Sequence, residues 1–163
     1  MKHLIAYTQK ELDTKLLNCS EKEAALQQAR ELIKSGANVN CFESTRGNTP
    51  LIKASNQINH SIIKLLLENG ADVNLGNKNG KNCLFYVVSQ NNYIYYKYQN
   101  KINNIIDLMM NYGINLNSKN KSGLDIFSNI QESNQKILQY IIDNYPDKYK
   151  EYTMKKITDK FNI

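Results

Sequence analysis

The sequence predicts an all-α fold in which short helix pairs stack side by side, because one turn pattern recurs three times, at offsets of 34 and 43 residues. The pattern reads GANVN at 36–40, GADVN at 70–74 and GINLN at 113–117. Between these turns, apolar residues return every three or four positions, as on one face of a helix. A spacing of about 33 residues is typical of repeats made of two helices and a hairpin.

The first unit is predicted over residues 8–40. Thr8 with Glu11 has the spacing of a capping box, and so does Ser20 with Glu23. We therefore expect two helices, over about 9–18 and 21–35. Their apolar faces are Leu12, Leu16 and Leu17, then Leu26, Ala29 and Ile33. The polar outer side of the second helix suits a terminal repeat, which faces water where it has no neighbour.

The second unit is predicted over residues 41–74. Thr49 can cap a first helix with its hydroxyl, and Pro50 sits where a missing N–H costs nothing. A second helix is indicated by an apolar stripe of Ile62, Ile63, Leu66 and Leu67. Gly70 is expected to end that helix in a left-handed conformation.

This unit closely resembles one ankyrin repeat, on the segments GNTPLIKA at 47–54 and IIKLLLENGADVN at 62–74. The other turns extend the resemblance over about four units, from Leu12 to Asn144. Ile52 stands where such repeats usually carry a histidine that bonds to the threonine, so Thr49 must cap without it. The resemblance implies a curved ankyrin-repeat solenoid of helix pairs joined by β-hairpin fingers, with a C-terminal capping helix.

The third unit, predicted over residues 75–117, carries about ten extra residues in the stretch 91–101. Asn82 replaces the capping threonine and can still accept the bond. The extra residues either loop out or lengthen a helix. A longer second helix is favoured, because one helical face holds Ile94, Tyr98, Ile102, Ile105 and Met109.

The fourth unit is predicted over residues 118–146, with Asp125 as the candidate helix cap. Pro146 should end its last helix near Asn144. The tail, 147–163, is expected to form a final helix over the open end of the stack, since a solenoid needs such a cap. Its covering residues are predicted to be Tyr149, Tyr152, Ile157 and Phe161.

The 163 residues are predicted to form a single domain. Their composition and motifs argue against several classes of function. The three cysteines (Cys19, Cys41 and Cys83) have no metal-binding spacing, so we expect buried thiols, no metal and no cofactor. No phosphate loop or nucleophile motif occurs, so no catalytic residue and no enzyme activity are predicted. No signal-peptide core or membrane-length apolar run is present, which favours the cytoplasm.

The net charge of +6 favours an acidic partner. In the predicted fold, five basic residues fall at neighbouring finger tips: Arg46, Lys78, Lys81, Lys119 and Lys121. They would form a basic edge that steers an acidic protein surface toward it. The alternative is that these charges only keep exposed turns soluble.

Four of the eleven tyrosines cluster in the extra stretch, at Tyr93, Tyr95, Tyr96 and Tyr98. Tyrosine is enriched at binding surfaces because its ring buries a large area at low entropic cost. The alternative is that the rings brace the extra residues against adjacent helices. Both interpretations can hold for different rings.

The predicted function is a non-catalytic module that binds one partner protein and inhibits or sequesters it, as a monomer. By resemblance, small ankyrin proteins include bacterial immunity proteins that neutralise toxins, effectors that act in host cells, and scaffold proteins. Nucleic-acid binding through the basic fingers and the tyrosines is the alternative from another class. Scarce arginine and numerous acidic residues elsewhere in the chain count against it.

Overall fold

The computed structural model describes residues 7–130 and 135–161. Within them the chain forms eight α-helices: α1 Gln9–Cys19, α2 Leu26–Lys34, α3 Pro50–Asn56, α4 His60–Glu68, α5 Cys83–Val88, α6 Asn92–Asn111, α7 Gln135–Asn144 and α8 Pro146–Phe161. Helices α1, α3 and α5 lie side by side in one layer, and α2, α4 and α6 lie in a second. A continuous apolar core, from Leu12 to Tyr152, fills the space between the layers. The predicted all-α solenoid is confirmed.

The helix starts follow from the capping residues. The Thr8 hydroxyl accepts the Glu11 backbone N–H at 3.3 Å, and the Glu11 carboxylate accepts the Thr8 N–H at 2.8 Å, which completes the capping box. Thr49 accepts the N–H of Ile52 at 3.2 Å without help from a histidine, and Asn82 accepts the N–H of Leu84 at 3.2 Å. Ile52 itself is buried in the core.

The second predicted capping box, Ser20 with Glu23, does not form. The Ser20 hydroxyl donates to the Leu16 carbonyl at 2.7 Å, and the Ser20 backbone N–H donates to the same oxygen at 3.0 Å. Ser20 therefore completes the end of α1 and does not start the next helix. A short 3₁₀ turn, Glu23–Ala25, follows, and α2 begins only at Leu26.

The extra residues of the third unit lengthen the second helix, as the periodicity predicts. Helix α6 has 20 residues, whereas α4, at the equivalent place in the preceding unit, has nine. Asn91 caps α6 by accepting the N–H of Ile94 at 2.9 Å. The helix kinks at Tyr98, where φ is −124° and ψ is 24°. The first two turns of α6 thus change direction relative to its remainder.

The fingers are tight hairpin turns, and among the described residues the expected β-pairing reduces to one isolated bridge, between Lys119 and Asp125. A backbone hydrogen bond closes each turn, such as Asn77 N–H to Lys81 carbonyl at 3.0 Å and Asn120 N–H to Leu124 carbonyl at 2.9 Å. Loops this short close on a single pair of residues, so no ladder develops.

The fourth unit departs most from the expected helix pair. Asp125 does not begin an α-helix: its carboxylate accepts the Ser128 N–H at 2.7 Å, within a 3₁₀ turn over Phe127–Asn129. Helix α7 ends at Asn144, as predicted from Pro146, and α8 follows. Tyr152 is buried and Tyr149 is half-buried, which confirms their part in the cap.

The prediction for the other two capping residues is wrong. Ile157 is 47% exposed and Phe161 is 61% exposed. The aromatic contact between α8 and the stack lies in its first half, where Phe127 meets Tyr149 and Tyr152 with ring centroids 5.6 and 4.4 Å apart. The second half of α8 is tied instead by polar contacts such as Lys156 to Asp125, and so its apolar side chains face solvent.

Candidate functional site

The finger tips lie side by side and are joined through their backbones. The Lys78 N–H donates to the Arg46 carbonyl at 3.0 Å, and the Lys121 N–H donates to the Asn79 carbonyl at 2.9 Å. These bonds connect the turns 41–48, 75–82 and 118–125 in sequence. We call Arg46, Lys78, Lys81, Lys119 and Lys121 the basic finger edge.

The side chains of the basic finger edge are largely open to solvent. Lys81 is half-buried and the other four residues are exposed. The Lys78 ammonium donates to the Ser44 carbonyl at 2.6 Å, which holds it against the preceding finger. Lys119 lies 3.6 Å from the Asp159 carboxylate of α8. Arg46, Lys81 and Lys121 form no ion pair within the described residues.

Both carboxylates of the fingers are occupied by other groups. Glu43 lies 3.2 Å from the Lys53 ammonium, and Lys53 also pairs with Glu21 at 2.9 Å. Asp125 is buried and accepts bonds from Ser128, Tyr152 and Lys156. The positive charge of the finger edge is therefore not offset by an exposed finger carboxylate.

The close contact between fingers depends on Gly80. Its φ is +74°, and an added Cβ would lie 3.2 Å from the Asn120 Cα and from the Lys121 backbone nitrogen. Gly80→Ala is expected to lower the free energy of unfolding by about 2–3 kcal/mol, because left-handed strain adds to a contact that pushes the fingers apart. Urea denaturation measures the loss.

Gly36→Ala is the matched control. Gly36 has a φ of +96° and no atom within 4 Å of an added Cβ. Alanine at position 36 therefore adds only left-handed backbone strain, which should lower the free energy of unfolding by about 1–2 kcal/mol. Equal losses for the two variants would show that the added methyl group at Gly80 does not push the fingers apart.

The tyrosine cluster divides into core and surface residues. Tyr95 is 2% exposed, so the prediction that its ring contacts a partner is corrected: it belongs to the core. Tyr98 is half-buried, with the ammonium groups of Lys97 and Lys101 at 5.2 and 5.8 Å from its ring centroid. Tyr93 and Tyr96 are 70% and 59% exposed. Only these two rings are fully available to another molecule.

The first turns of α6 brace the stack. Lys101 pairs with Glu23 of the first unit at 2.7 Å, and so reaches past the second unit. Ile94 and Tyr98 line a cavity of about 290 Å³ together with Ile58, a buried residue at the turn between α3 and α4. Part of the extra sequence therefore serves the fold, as one of the two interpretations predicts.

Lys136 of α7 contacts the exposed ring of Tyr96 and was not predicted from the sequence. Its ammonium lies 4.5 Å from the Tyr96 ring centroid, within the range of a cation–π contact. Forty residues separate the two in the chain, and only the stacking of α7 beside α6 brings them together. No local signal in the sequence could have paired them.

The structure does not bring the two candidate surfaces together. Tyr93 and Tyr96 lie at the start of α6, whereas the finger 118–125 follows its end. From Tyr96 to the end of α6 at Asn111 the helix rises about 22 Å, at 1.5 Å per residue. The basic finger edge and the exposed tyrosines are thus distinct patches.

Phe42 is a second residue that sequence reasoning missed. It is 53% exposed in the first finger and lines an open cavity of about 860 Å³ with Leu17, Asp13 and Lys53. An aromatic residue in an otherwise polar turn is the signal that could have identified it. Large exposed aromatic side chains are enriched where proteins bind each other.

The cysteine thiols of the described residues stay protonated at neutral pH. All three cysteines are buried and free, as predicted. Burial raises the pKa of the Cys41 and Cys83 thiols to about 12, so neither provides a thiolate at neutral pH. No group of potential metal ligands occurs within residues 7–130 and 135–161. In the same part of the chain, no helix combines the length and apolarity needed to cross a bilayer.

Comparison with known proteins identifies the repeats. A family model for ankyrin repeats, in three copies, matches residues 16–120. An ankyrin repeat protein of Acanthamoeba polyphaga mimivirus is 30% identical over 139 residues, which cover 81% of this chain and 78% of that protein.

Two longer relatives share the repeats. An ankyrin repeat protein of fowlpox virus is 31% identical over 109 residues, or 66% of this chain, and one of Treponema pallidum is 29% identical over 111 residues, or 68% of this chain. The matched regions span only 29% and 34% of those two proteins. With the fold described above and the match over more than half of its length, this chain belongs to the ankyrin-repeat family.

Proposed function

We propose that this chain binds the acidic surface of one partner protein through the basic finger edge, and inhibits or sequesters that partner. The observation that carries the proposal is the pair of backbone hydrogen bonds that join the three finger tips. They hold Arg46, Lys78 and Lys121 on one continuous backbone framework. A preorganised row of charges loses little entropy when a complementary surface binds.

Membership of the ankyrin-repeat family supports the part of the proposal that the partner is a protein. Ankyrin repeats are protein–protein interaction modules and are generally not enzymes. Inhibition, as by an immunity protein that neutralises a toxin, would follow if the partner's own site were covered. A scaffold would use the same edge but would leave the partner active, and an effector would use it to bind a protein of the host cell.

Nucleic-acid binding is the competing class. A single strand would need phosphate contacts and base stacking along one path. The exposed rings Tyr93 and Tyr96 lie near the start of α6 and the last finger follows its end, so the two contacts do not fall on one short strand. This geometry favours a folded partner with an acidic patch.

The double variant Lys78→Glu/Lys121→Glu should weaken binding at least tenfold, because the charge reverses in two of the three adjoining fingers. The matched control is Lys34→Glu/Lys150→Glu, which makes the same change in net charge on the exposed surfaces of α2 and α8. The partner is first captured from native lysate by cross-linking, identified by mass spectrometry and purified. Calorimetry then compares its affinity for the wild type and both variants.

Equal weakening by both double variants would contradict a specific finger-edge site and leave only general attraction by net charge. Binding to mixed oligonucleotides at low salt, lost with Lys78→Glu/Lys121→Glu, would replace the protein partner by nucleic acid. An activity assay of the identified partner, with and without this chain, separates an inhibitor from a scaffold. Undiminished partner activity in a saturated complex would rule out inhibition.

A further inference from the structure

A second basic site lies where the last finger meets α8. An open cavity of about 670 Å³ is lined there by four lysines: Lys119 of the finger, and Lys155, Lys156 and Lys160 of α8. Lys156 and Lys160 are four residues apart and share one face of the helix. Lys119 faces them from the finger, so ammonium groups reach the cavity from two elements.

Of the two carboxylates that line the cavity, one is already occupied. Asp125 accepts the Ser128 N–H and hydroxyl at 2.7 Å each, the Tyr152 hydroxyl at 3.0 Å and the Lys156 ammonium at 3.2 Å. Its side chain is only 9% exposed. Asp125 therefore forms the floor of the cavity and offers little charge to a ligand.

The other carboxylate, Asp159, lies 3.6 Å from the Lys119 ammonium, and both side chains are more than half exposed. An exposed pair of this kind contributes little to stability and yields readily to a stronger anion. Lys155 and Lys160 form no ion pair within the described residues. Four lysines against two carboxylates leave the cavity with an excess of positive charge.

One of the lysines is held in place before any ligand arrives. The Lys156 ammonium lies 3.1 Å from the Tyr152 hydroxyl and 3.2 Å from the Asp125 carboxylate. Tyr152 is itself buried, at 5% exposure. This network fixes the direction of Lys156 and reduces the entropy lost on binding.

We propose that this cavity binds an oligophosphate, a small ligand that carries several phosphate groups in a row. The cavity volume of about 670 Å³ falls within the range of small-molecule sites. The flat surface of a folded protein would not reach the lysines inside such a cavity. Lysine ammonium groups bind phosphate as point charges, and several of them around one cavity favour a ligand with several adjacent negative charges. The cavity shares Lys119 with the basic finger edge but contains none of Arg46, Lys78 and Lys121, so the proposal does not rest on the proposed function.

The test uses the full chain and sodium tripolyphosphate as the probe, with calorimetry and phosphorus NMR at low ionic strength. Lys155→Gln/Lys160→Gln should weaken binding about tenfold, because two ammonium groups are removed from the cavity. Asp159→Asn should strengthen binding about threefold, because it removes the carboxylate that competes for Lys119. Circular dichroism confirms that each variant is folded.

Two controls on α8 match these changes in charge outside the cavity. They are Lys148→Gln/Lys150→Gln and Asp147→Asn, and neither should change the affinity beyond about twofold. No saturable binding to the wild type, or equal effects of cavity and control variants, would overturn the proposal. Lys78→Glu/Lys121→Glu should still bind tripolyphosphate, so failure here is distinguishable from failure at the finger edge.

Discussion

Replacing Tyr95 by alanine is expected to lower the free energy of unfolding by about 3–5 kcal/mol, the range for truncation of a large aromatic residue in a core. The ring is 2% exposed and lies among the buried residues of the continuous core. It also meets Tyr96 edge to face, with centroids 6.3 Å apart and planes at 65°. Truncation leaves a cavity that the rigid helix pairs around it cannot close.

Tyr93→Ala is the control on the same helix. Tyr93 is 70% exposed, so its loss should change stability by less than about 0.5 kcal/mol. Urea denaturation, with the slope m compared between variants, measures both changes. A loss below about 1 kcal/mol for Tyr95→Ala would contradict the buried position of the ring.

This expectation changes how the tyrosine cluster is tested for binding. A variant at Tyr95 would lose partner binding simply because its repeat is destabilised. Substitutions at Tyr93 and Tyr96 remove the exposed rings and leave the core intact. Since Tyr96 contacts Lys136 and also meets the Tyr95 ring edge to face, its truncation should cost about 1–2 kcal/mol, still less than that of Tyr95.

Asp125→Ala is expected to cost about 2–4 kcal/mol of unfolding free energy. The carboxylate accepts bonds from Ser128, Tyr152 and Lys156, and its removal leaves the buried Tyr152 hydroxyl without that partner. The same change removes the Tyr152 and Lys156 contacts between α8 and the last finger and leaves, within the described residues, only the exposed Lys119–Asp159 ion pair between them. Chemical denaturation measures the loss, and limited proteolysis should cut α8 first.

The pH dependence of the unfolding free energy separates the loss of the Asp125 charge from a purely steric effect of the substitution. Although burial acts to raise it, the hydrogen bonds from Ser128, Tyr152 and Lys156 lower the pKa of the Asp125 carboxyl overall. The ionised form therefore stabilises the fold above the unfolded pKa, about 3.9, and this contribution is lost as the pH falls through the lower folded pKa. Compared with Asp125→Asn, the wild type should hold a constant advantage between pH 5 and 7 (roughly), which shrinks below about pH 4. An advantage that stays unchanged in acid would contradict the role of the charge.

Local signals in the sequence were sufficient for most helix starts. Thr8, Thr49 and Asn82 each cap the helix that their position predicts, since a capping bond spans only two or three residues. Ser20 does not cap the next helix, because a competing local bond is available to it. Its hydroxyl donates to the carbonyl of Leu16, four residues earlier in the chain.

Local signals could not predict which side chains of an apolar or aromatic cluster face solvent. Tyr95 and Tyr96 are adjacent in the chain, yet one is buried and the other is exposed. Ile157 and Phe161 fit the apolar pattern of a capping helix but face solvent. The direction of the first two turns of α6, before the kink at Tyr98, and the docking of α8 on Asp125 decide these outcomes.

The sequence by itself determined the repeat architecture, because a period of about 33 residues and capping residues at fixed offsets are properties of local chain geometry. It also determined that basic residues occupy the finger tips. Only the tertiary structure decided which charges remain free, which tyrosines are exposed, and that four lysines from the last finger and α8 line one cavity. These features depend on contacts between residues far apart in the chain, such as Lys136 with Tyr96 and Lys156 with Asp125. Such contacts exist only once the helices have stacked.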